Sequence, residues 1–424
     1  MLKNFLQVFR VPELRKKVFF VLGVFVVFRV MANIPIFAID VAKLQGFFSQ
    51  NQVFGLLNMF TGGAMDKMSI AMLGLGPYIS SVIILQLLTM IFPKLEKMYK
   101  EGGPEGKRKF NQYGRLATIP LALLQGYGML TLLQRQGVLQ SLSPMQLGSA
   151  LITIAAGTVF LMWLGELLTE KGIGNGISLL IFAGIISRAP ANIRQLVLTW
   201  DPSNIPGYLA FLAMVVVIIA GVVLINEGKR NIPVSYAKRV RGRKVQGGTS
   251  TYLPMKVNPA GVIPIIFALS VLLFPRMIAN FFKDNAGMIG EIATGLSGAL
   301  ANPWIHGALY FLLVIMFTYF YTAVTFDPES IADNLKKMGG FIPGIRPGPS
   351  TVNFISHILN RVEFIGALFL GTIAVLPSII QGITGVQVFQ FLVGGTALLI
   401  VVSVVLQTTR EIKAQLKMRD YETF

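Results

Sequence analysis

The side chains that most often carry out catalysis are scarce in this chain. It contains no cysteine and only two histidines, His306 and His357, which lie far apart in the sequence. Thiolate nucleophiles, disulfides and thiolate metal sites are therefore excluded, and two separated histidines make no zinc-binding motif. The sequence also lacks a nucleotide-binding phosphate loop, a His-Glu-x-x-His motif and a nucleophile elbow. We expect no catalytic residue, no bound metal and no cofactor.

The charged residues are distributed around long apolar stretches. Hydrophobic residues make up 54% of the chain and charged residues only 13%, which is typical of a membrane protein that crosses the bilayer many times. Most of the apolar stretches hold about 20 residues, the length that crosses ~30 Å of hydrocarbon. Ten such spans are predicted, at residues 18–37, 70–92, 116–133, 148–168, 177–193, 207–226, 258–281, 304–326, 364–380 and 388–407.

The cations indicate how these spans are oriented. If the N-terminus is cytoplasmic, 29 of the 37 lysines and arginines fall on the cytoplasmic side, seven fall on the outer side, and Arg29 lies within a span. Membrane proteins show this excess of cations in their cytoplasmic loops. We therefore predict ten transmembrane helices with both termini in the cytoplasm. Residues 2–9 are predicted to form an amphipathic helix along the inner surface.

The membrane interior offers few groups that could couple transport to an ion gradient. Ion-coupled transporters need ionisable side chains near the middle of the bilayer. Only Arg29 lies well inside a predicted span, whereas Glu166 and Glu363 lie near cytoplasmic ends. Arg29 is open to a functional interpretation and equally to a structural one, in which it faces the helix bundle. The pattern disfavours an ion-coupled transporter.

Two predicted cytoplasmic loops, at residues 227–257 and 327–363, are longer than the topology requires. The first carries eight cations, and its sequence VRGRKVQGG at 240–248 predicts a β-hairpin with a turn near the glycine pair. The second holds Arg346 between Pro343 and Pro347, in a turn that fixes its position. The net charge of +18 suits anionic lipids, a solvated surface or an acidic partner, and charge alone does not separate these alternatives.

The order of the spans suggests two halves. Five spans fall in residues 1–195 and five in residues 196–424, and an odd number in each half places the halves in opposite orientations. Secondary transporters with inverted repeats also consist of two halves in opposite orientations. A transporter of a small solute is therefore the alternative function.

One apolar segment is too short to cross the membrane. Residues 53–67 are interrupted by Gly62 and Gly63, and the next span opens with the further break GLGP at 74–77. A half-helix at membrane depth is tolerated where it lies within protein or lines a cavity. The pattern fits a half-helix folded back toward a central cavity and, equally, a helix lying on the outer leaflet.

Eight motifs, in order along nearly the whole chain, resemble the SecY family, the channel subunits of bacterial protein translocases. They are NMFTGGA at 58–64, LGLGPYIS at 73–80, FLMWLGE at 160–166, TEKGIGNGIS at 169–178, LPMKVNPAGVIP at 253–264, ADNLKK at 332–337, GIRPG at 344–348 and GGTALLIV at 394–401. The resemblance implies an all-α fold of two inverted five-helix halves around an hourglass channel. It further implies a channel for secretion of unfolded polypeptides and for lateral insertion of transmembrane segments.

The resemblance also assigns roles to residues of this chain. The apolar pore ring corresponds to Leu75, Ile79, Ile177, Ile181, Ile266 and Ile400. The plug corresponds to residues 53–67, including Asn58, Phe60, Gly62 and Gly63, and a polar cluster at the lateral gate corresponds to Ser80, Gln125 and Asn258. An apolar ring can exclude water and ions while its side chains still part for a peptide.

The partners expected from the resemblance are SecE, SecG, the SecA ATPase, the ribosome with its RNA, signal peptides and nascent chains. The docking residues would be Arg241, Arg243 and Lys244 in the first loop and Arg346 in the second. The location expected is the bacterial plasma membrane, where anionic lipids would also meet the basic surface.

Overall fold

The structure is a computed structural model that describes residues 11–36, 44, 58, 61–140, 142–198, 202, 205–236, 239–241, 244–246, 250–282, 287–384 and 395–422. The amphipathic helix predicted at residues 2–9 lies outside the described residues. Within the described part of the chain, nearly all regular structure is helical, and the strands are confined to residues 229–256 and 340–341.

The helices before the strands begin mostly at prolines. Proline lies in the first turn of α1 to α5, where its missing N–H is not needed and its fixed φ suits a helix. Ser143 and Gln146 form a reciprocal capping box at the start of α5. These helices are α1 (Pro12–Met31), α2 (Gly76–Ile91), α3 (Pro93–Lys100), α4 (Gly103–Arg135), α5 (Pro144–Lys171), α6 (Gly176–Leu198) and α7 (Ile205–Glu227).

The helices after the first strands use polar caps at two of their starts. Asn302 accepts a hydrogen bond from the Trp304 N–H at 3.0 Å, and Asp327 accepts one from the Glu329 N–H at 3.0 Å. These caps fix where α10 and α11 begin. The helices are α8 (Ile263–Phe282), α9 (Met288–Ala301), α10 (Pro303–Thr325), α11 (Pro328–Lys337), α12 (Pro349–Thr384) and α13 (Gly395–Glu422).

Each of the ten predicted spans overlaps one of these helices: α1, α2, α4 to α8, α10, α12 and α13. Among the described residues, five helices are long and apolar enough to cross a membrane alone, or six if the bent pair α2 and α3 counts as one span. Many large apolar side chains on these helices are exposed, for example Val217 at 70% and Leu312 at 62%. Such exposure is stable in lipid, so the chain is a multi-pass membrane protein, while the count of ten stays a prediction.

Several helices differ in extent from the predicted spans. α4 begins 13 residues before its predicted span, and α12 begins 15 residues before its own, so both continue well beyond the apolar stretch. The amphipathic short helices α3 and α9 were not predicted. Apolar composition marks only the part of a helix that lies in lipid, and the polar extension carries no such signal.

A small sheet joins the two basic loops. β1 (Lys229–Tyr236) pairs antiparallel with β4 (Ser250–Lys256) in this sheet. β2 (Arg239–Arg241) pairs with β3 (Lys244–Gln246) in a separate two-stranded ribbon, so the predicted hairpin is confirmed. Arg241 faces Lys244 in register, and the glycine pair where the turn was expected, Gly247 and Gly248, lies outside the described residues. β5 (Gly340–Phe341), from the second loop, pairs with the other edge of β1.

Three hydrophobic clusters organise the described part of the molecule, and one of them packs Met65, Met68 and Met72 against α4 and α5. The largest one lies mostly among the predicted spans and unites side chains of α1, α2, α5 to α10, α12 and α13. The third one joins β1 and β4 to α11, to the start of α12 and to Ile342 and Ile345. The two basic loops therefore share one core and form a single folded unit, which we call the loop domain (residues 229–256 and 326–362).

Candidate functional site

All six residues of the predicted pore ring belong to the largest cluster. Leu75, Ile181 and Ile400 are buried, and Ile79, Ile177 and Ile266 are partly buried against them. They come from four different helices, α2, α6, α8 and α13, with Leu75 at the position just before α2. Two of these helices belong to each predicted half. The structure thus brings together residues that lie up to 325 positions apart in the sequence.

The described part of the predicted plug is a series of turns. Gly62 and Gly63 have φ values of +67° and +83°, a left-handed conformation that interrupts a helix and that glycine adopts without strain. The half-helix predicted across residues 53–67 is therefore wrong for residues 61–67. Phe60 lies outside the described residues. Asn58 is 2% exposed, so this part of the segment is buried in protein, which excludes the outer-leaflet alternative for it.

Gly62 fits closely against α1 and α6. A Cβ atom at this position would lie 3.1 Å from the Gly184 Cα and 3.3 Å from the Phe28 ring. The Gly62 carbonyl accepts a hydrogen bond from Arg29 Nη1 at 2.8 Å and lies 3.5 Å from the Ser187 hydroxyl, whose shorter contact is to the Gly184 carbonyl at 2.8 Å. The segment is therefore fixed both by close backbone packing and by polar contacts.

A second set of polar contacts surrounds Asp66. Its carboxylate accepts hydrogen bonds from the Arg188 guanidinium and from the Asn58 amide, and its own N–H donates to Asn58 Oδ1 at 3.3 Å. Just beyond it, Lys67 donates to the Asn33 side chain. Together with the bond from Arg29 to Gly62, these contacts show that Arg29 and Arg188 both touch the plug segment, so Arg29 faces protein.

The polar residues predicted at the lateral gate form two separate groups. The Gln125 amide donates to the Ser80 hydroxyl at 3.4 Å, which joins α2 to α4. Asn258 instead donates to the Asn226 side chain at 3.1 Å, and Asn226 donates to Ser403 at 2.7 Å. Helix α8, which follows Asn258, packs against both α2 and α4. The residues predicted at the gate therefore take part in one polar pair in the N-terminal half and one polar chain in the C-terminal half.

The predicted docking residues lie in the loop domain. Arg241 and Lys244 pair through their backbones at the end of the β2–β3 ribbon, and Arg243 lies outside the described residues. Arg346 lies at the surface, and its carbonyl accepts a hydrogen bond from the Thr351 hydroxyl at 2.9 Å. The turn that carries it begins at Ile342, which is 2% exposed in the core of the loop domain. Arg346 is therefore displayed from an anchored turn.

Sequence reasoning missed the contacts that hold the plug segment. Asp66 and Arg188 are 122 positions apart, and Arg188 was counted only as an outer charge. Their proximity follows from the folding of residues 61–67 against α6, which no local pattern specifies. The available signal was the pairing of opposite charges in two segments that the family resemblance places on the same side of the channel.

The chain is similar in structure to solved protein-conducting channels. The chain aligns with a structure described as "The structure of a protein conducting channel" with a TM-score of 0.64, over 93% of this chain and 91% of that one, at 19% identity. It aligns with Sec61 in the canine ribosome-channel complex from the endoplasmic reticulum with a TM-score of 0.61, at 18% identity and the same coverage. The chain therefore shares the fold of these channels.

The sequence comparisons identify the family. The SecY family profile matches residues 69–409. The chain is 44% identical to protein translocase subunit SecY of Thermus thermophilus, covering all of this chain and 98% of the relative. It is 42% identical to the same subunit of Streptomyces scabiei, covering all of both chains. The chain belongs to the SecY family.

Proposed function

We propose that this chain is the pore-forming subunit of a protein translocase, through which unfolded polypeptides cross the membrane or enter it sideways. The observation that supports the proposal is that the six apolar residues, from four helices of both predicted halves, belong to one hydrophobic cluster. Each relative described above is named as a translocase subunit, and the chain matches them along its entire length. The chain contributes a passage and performs no chemistry.

The six ring residues act as the ion seal. A narrow constriction of aliphatic side chains cannot replace the hydration shell of an ion, so water and ions are excluded at rest. The same side chains change rotamers readily, and they make van der Waals contact with any residue of a passing peptide. The ring therefore tolerates many sequences while it limits the leak around them.

Residues 53–67 act as the plug beside this ring. Their described part is mostly buried and packs against α1 and α6, and α6 also carries the ring residue Ile181. A solved structure with a TM-score of 0.64 to this chain, at 20% identity, is described as showing that the plug domain of SecY stabilises the closed state and maintains a membrane seal. We assign the same role to this segment.

The lateral gate lies where α8 packs against α2 and α4. Separation of these helices would open the passage to lipid, so that a segment of the substrate could partition according to its own hydrophobicity. Hydrogen bonds around Asn258 stay within the C-terminal side, and the Ser80–Gln125 pair stays within the N-terminal side. The gate can therefore open without breaking either polar group.

The loop domain is the docking surface for the partners that supply energy. The chain has no nucleotide-binding motif, so the driving force must come from the SecA ATPase or from the translating ribosome. Arg241, Arg243 and Lys244 are suited to ribosomal RNA, because lysine and arginine neutralise phosphates and release counterions. SecE and SecG complete the complex in the plasma membrane. The cytoplasmic placement of the loop domain and both termini follows from the charge distribution, which also suits anionic lipids.

Replacement of Gly62 by valine should displace the plug and raise the resting ion leak. The new side chain would collide with Gly184 and Ser187, and a φ of +67° costs a non-glycine residue about 1–2 kcal/mol. The leak is measured in planar bilayers containing equal amounts of purified complex. Gly103→Val is the matched control, because Gly103 has a φ of +58° but no atom within 4 Å of the added Cβ. Equal leak in the two variants would contradict the placement of the plug.

Reconstitution tests the proposed function itself. Proteoliposomes containing this chain, SecE and SecA should protect a secretory precursor from added protease in an ATP-dependent manner. Vesicles without this chain serve as the control. A secondary transporter would instead accumulate a small solute and show no protection of the precursor, and that outcome would overturn the proposal.

A further inference from the structure

Two arginines of the membrane region reach the same short segment from different helices. Arg29 lies near the end of α1, and Arg188 lies in α6. Both contact the described part of the plug, Arg29 through the Gly62 carbonyl and Arg188 through the Asp66 carboxylate. Charged side chains within a membrane protein are costly unless they are paired, so their presence at one place requires an explanation.

The Asp66 carboxylate is buried, and both of its oxygens accept hydrogen bonds. The residue is 7% exposed, and its two oxygens accept from different partners, Arg188 on one side and Asn58 on the other. Removal of one member of a buried ion pair leaves the other charge uncompensated, which is far more damaging than the absence of both. Separation of Asp66 from Arg188 is therefore energetically unfavourable.

Arg29 fixes the segment at a second point. Its guanidinium donates to the Gly62 carbonyl at 2.8 Å and to the Ser187 hydroxyl at 3.3 Å, and Ser187 in turn donates to the Gly184 carbonyl at 2.8 Å. A hydrogen bond from a charged donor is roughly twice as strong as a neutral one. The segment from Gly62 to Asp66 is thus held by an arginine at each end.

We propose that Arg29, Arg188 and Asp66 form a clamp that holds the plug closed, and that rupture of this clamp is the step that limits plug release. The inference rests on the plug role proposed above and names the residues that control it. Among the described residues, the side chains outside the plug that hydrogen-bond to residues 61–67 all belong to α1, α6 or the residues just after α1. The plug is thus fastened to the N-terminal half.

Because the plug is attached to the N-terminal half, displacement of the C-terminal helices and release of the plug are separate movements. The C-terminal helices α8 and α13 can move away from the ring without breaking any of the clamp contacts, since those contacts lie on α1 and α6. Plug release requires a further event, in which the guanidinium of Arg188 loses its carboxylate partner. A translocating chain that reaches the outer side of the ring would supply that event by displacing the segment.

The test is a double-mutant cycle on the resting ion leak, with Asp66→Asn, Arg188→Gln and the pair combined. Each single variant should raise the leak by about tenfold, the factor that corresponds to about 1.4 kcal/mol in a barrier. The combined variant should leak no more than the worse single variant, because the pair acts as a unit. Asp66→Glu should restore a low leak, and Arg194→Gln, on the same helix but outside the clamp, should leave the leak unchanged.

Thermal unfolding of each purified complex identifies variants that fail to fold. If Arg188→Gln does not fold, the comparison of Asp66→Glu with Asp66→Asn tests the clamp in its place. If Asp66→Asn does not fold, the comparison of Arg29→Gln with Arg194→Gln does so. Wild-type leak in the folded single variants, or strictly additive effects, would overturn the clamp. If Gly62→Val leaks while the clamp variants do not, the plug assignment stands without the clamp. If Gly62→Val also keeps the seal, the plug role itself fails.

Discussion

Replacing Ile79 and Ile181 together with asparagine is expected to open the resting channel to ions. The two side chains come from α2 and α6 and pack in the same cluster, so the change puts two amides into the apolar constriction. Amides hold water through hydrogen bonds, and a hydrated constriction no longer excludes ions. We expect the resting conductance in planar bilayers to rise by about tenfold or more, equivalent to a barrier lowered by at least about 1.4 kcal/mol.

The control for the ring keeps its apolar character. Ile79→Val together with Ile181→Val removes one methylene from each side chain but adds no polar group, so the conductance should stay close to that of the parent channel. If the valine and asparagine variants conduct equally, the leak reflects lost volume and not wetting. A conductance unchanged from the parent in both variants would show that these residues do not form the seal.

Reversal of the charge at Arg346 is expected to cripple SecA-driven export. Arg346 lies on a turn anchored by the buried Ile342, so its position is largely set before a partner binds and little ordering entropy is lost. A guanidinium can bind a carboxylate in a bidentate geometry that an ammonium cannot reproduce. Hydrogen bonds to charged groups contribute about 1.5–3 kcal/mol, so Arg346→Glu should slow export by about tenfold or more.

Two matched variants test whether the effect of Arg346 depends on more than its charge. Arg346→Lys keeps the charge and should recover only part of the export rate. Lys336→Glu makes the same reversal of charge at an exposed position of α11 and should export nearly as the parent does. ATP-dependent protection of a precursor is measured at equal amounts of each protein. An Arg346→Glu variant that exports at the rate of the parent would show that this loop is an ordinary solvated surface and not a docking site.

The features that could be predicted from sequence are those that a local pattern encodes. Long apolar stretches marked the membrane helices, and short polar strands with turn signals marked the hairpin in the first basic loop. The polar extensions of α4 and α12 carried no comparable signal. The fold of two inverted halves and the roles of the ring residues came from the resemblance to the SecY family, because single isoleucines within apolar spans are indistinguishable by composition.

Long-range contacts explain the features that no local pattern encodes. The pairing of β5 with β1 involves only two residues of the second loop, too few for a strand pattern. The Asp66–Arg188 pair depends on where residues 61–67 fold, and that path is set by two glycines in the left-handed region and by the approach to Gly184. Asn258 was expected beside Ser80 and Gln125, but its hydrogen bonds are satisfied by Asn226 and Gly261 instead.

The claim that a polypeptide passes through the ring is tested most directly by disulfide crosslinking of a stalled precursor. The chain has no cysteine, so a single cysteine at Ile181 or at Ile400 reports one position without background. Val217, on α7, is 70% exposed and provides a control position that faces lipid. A precursor with one cysteine, arrested by a folded domain at its end, should crosslink to positions 181 and 400 and not to position 217, and only after ATP and SecA are added. Crosslinking to position 217 as efficient as that to the ring, or none at the ring, would contradict a passage through the ring.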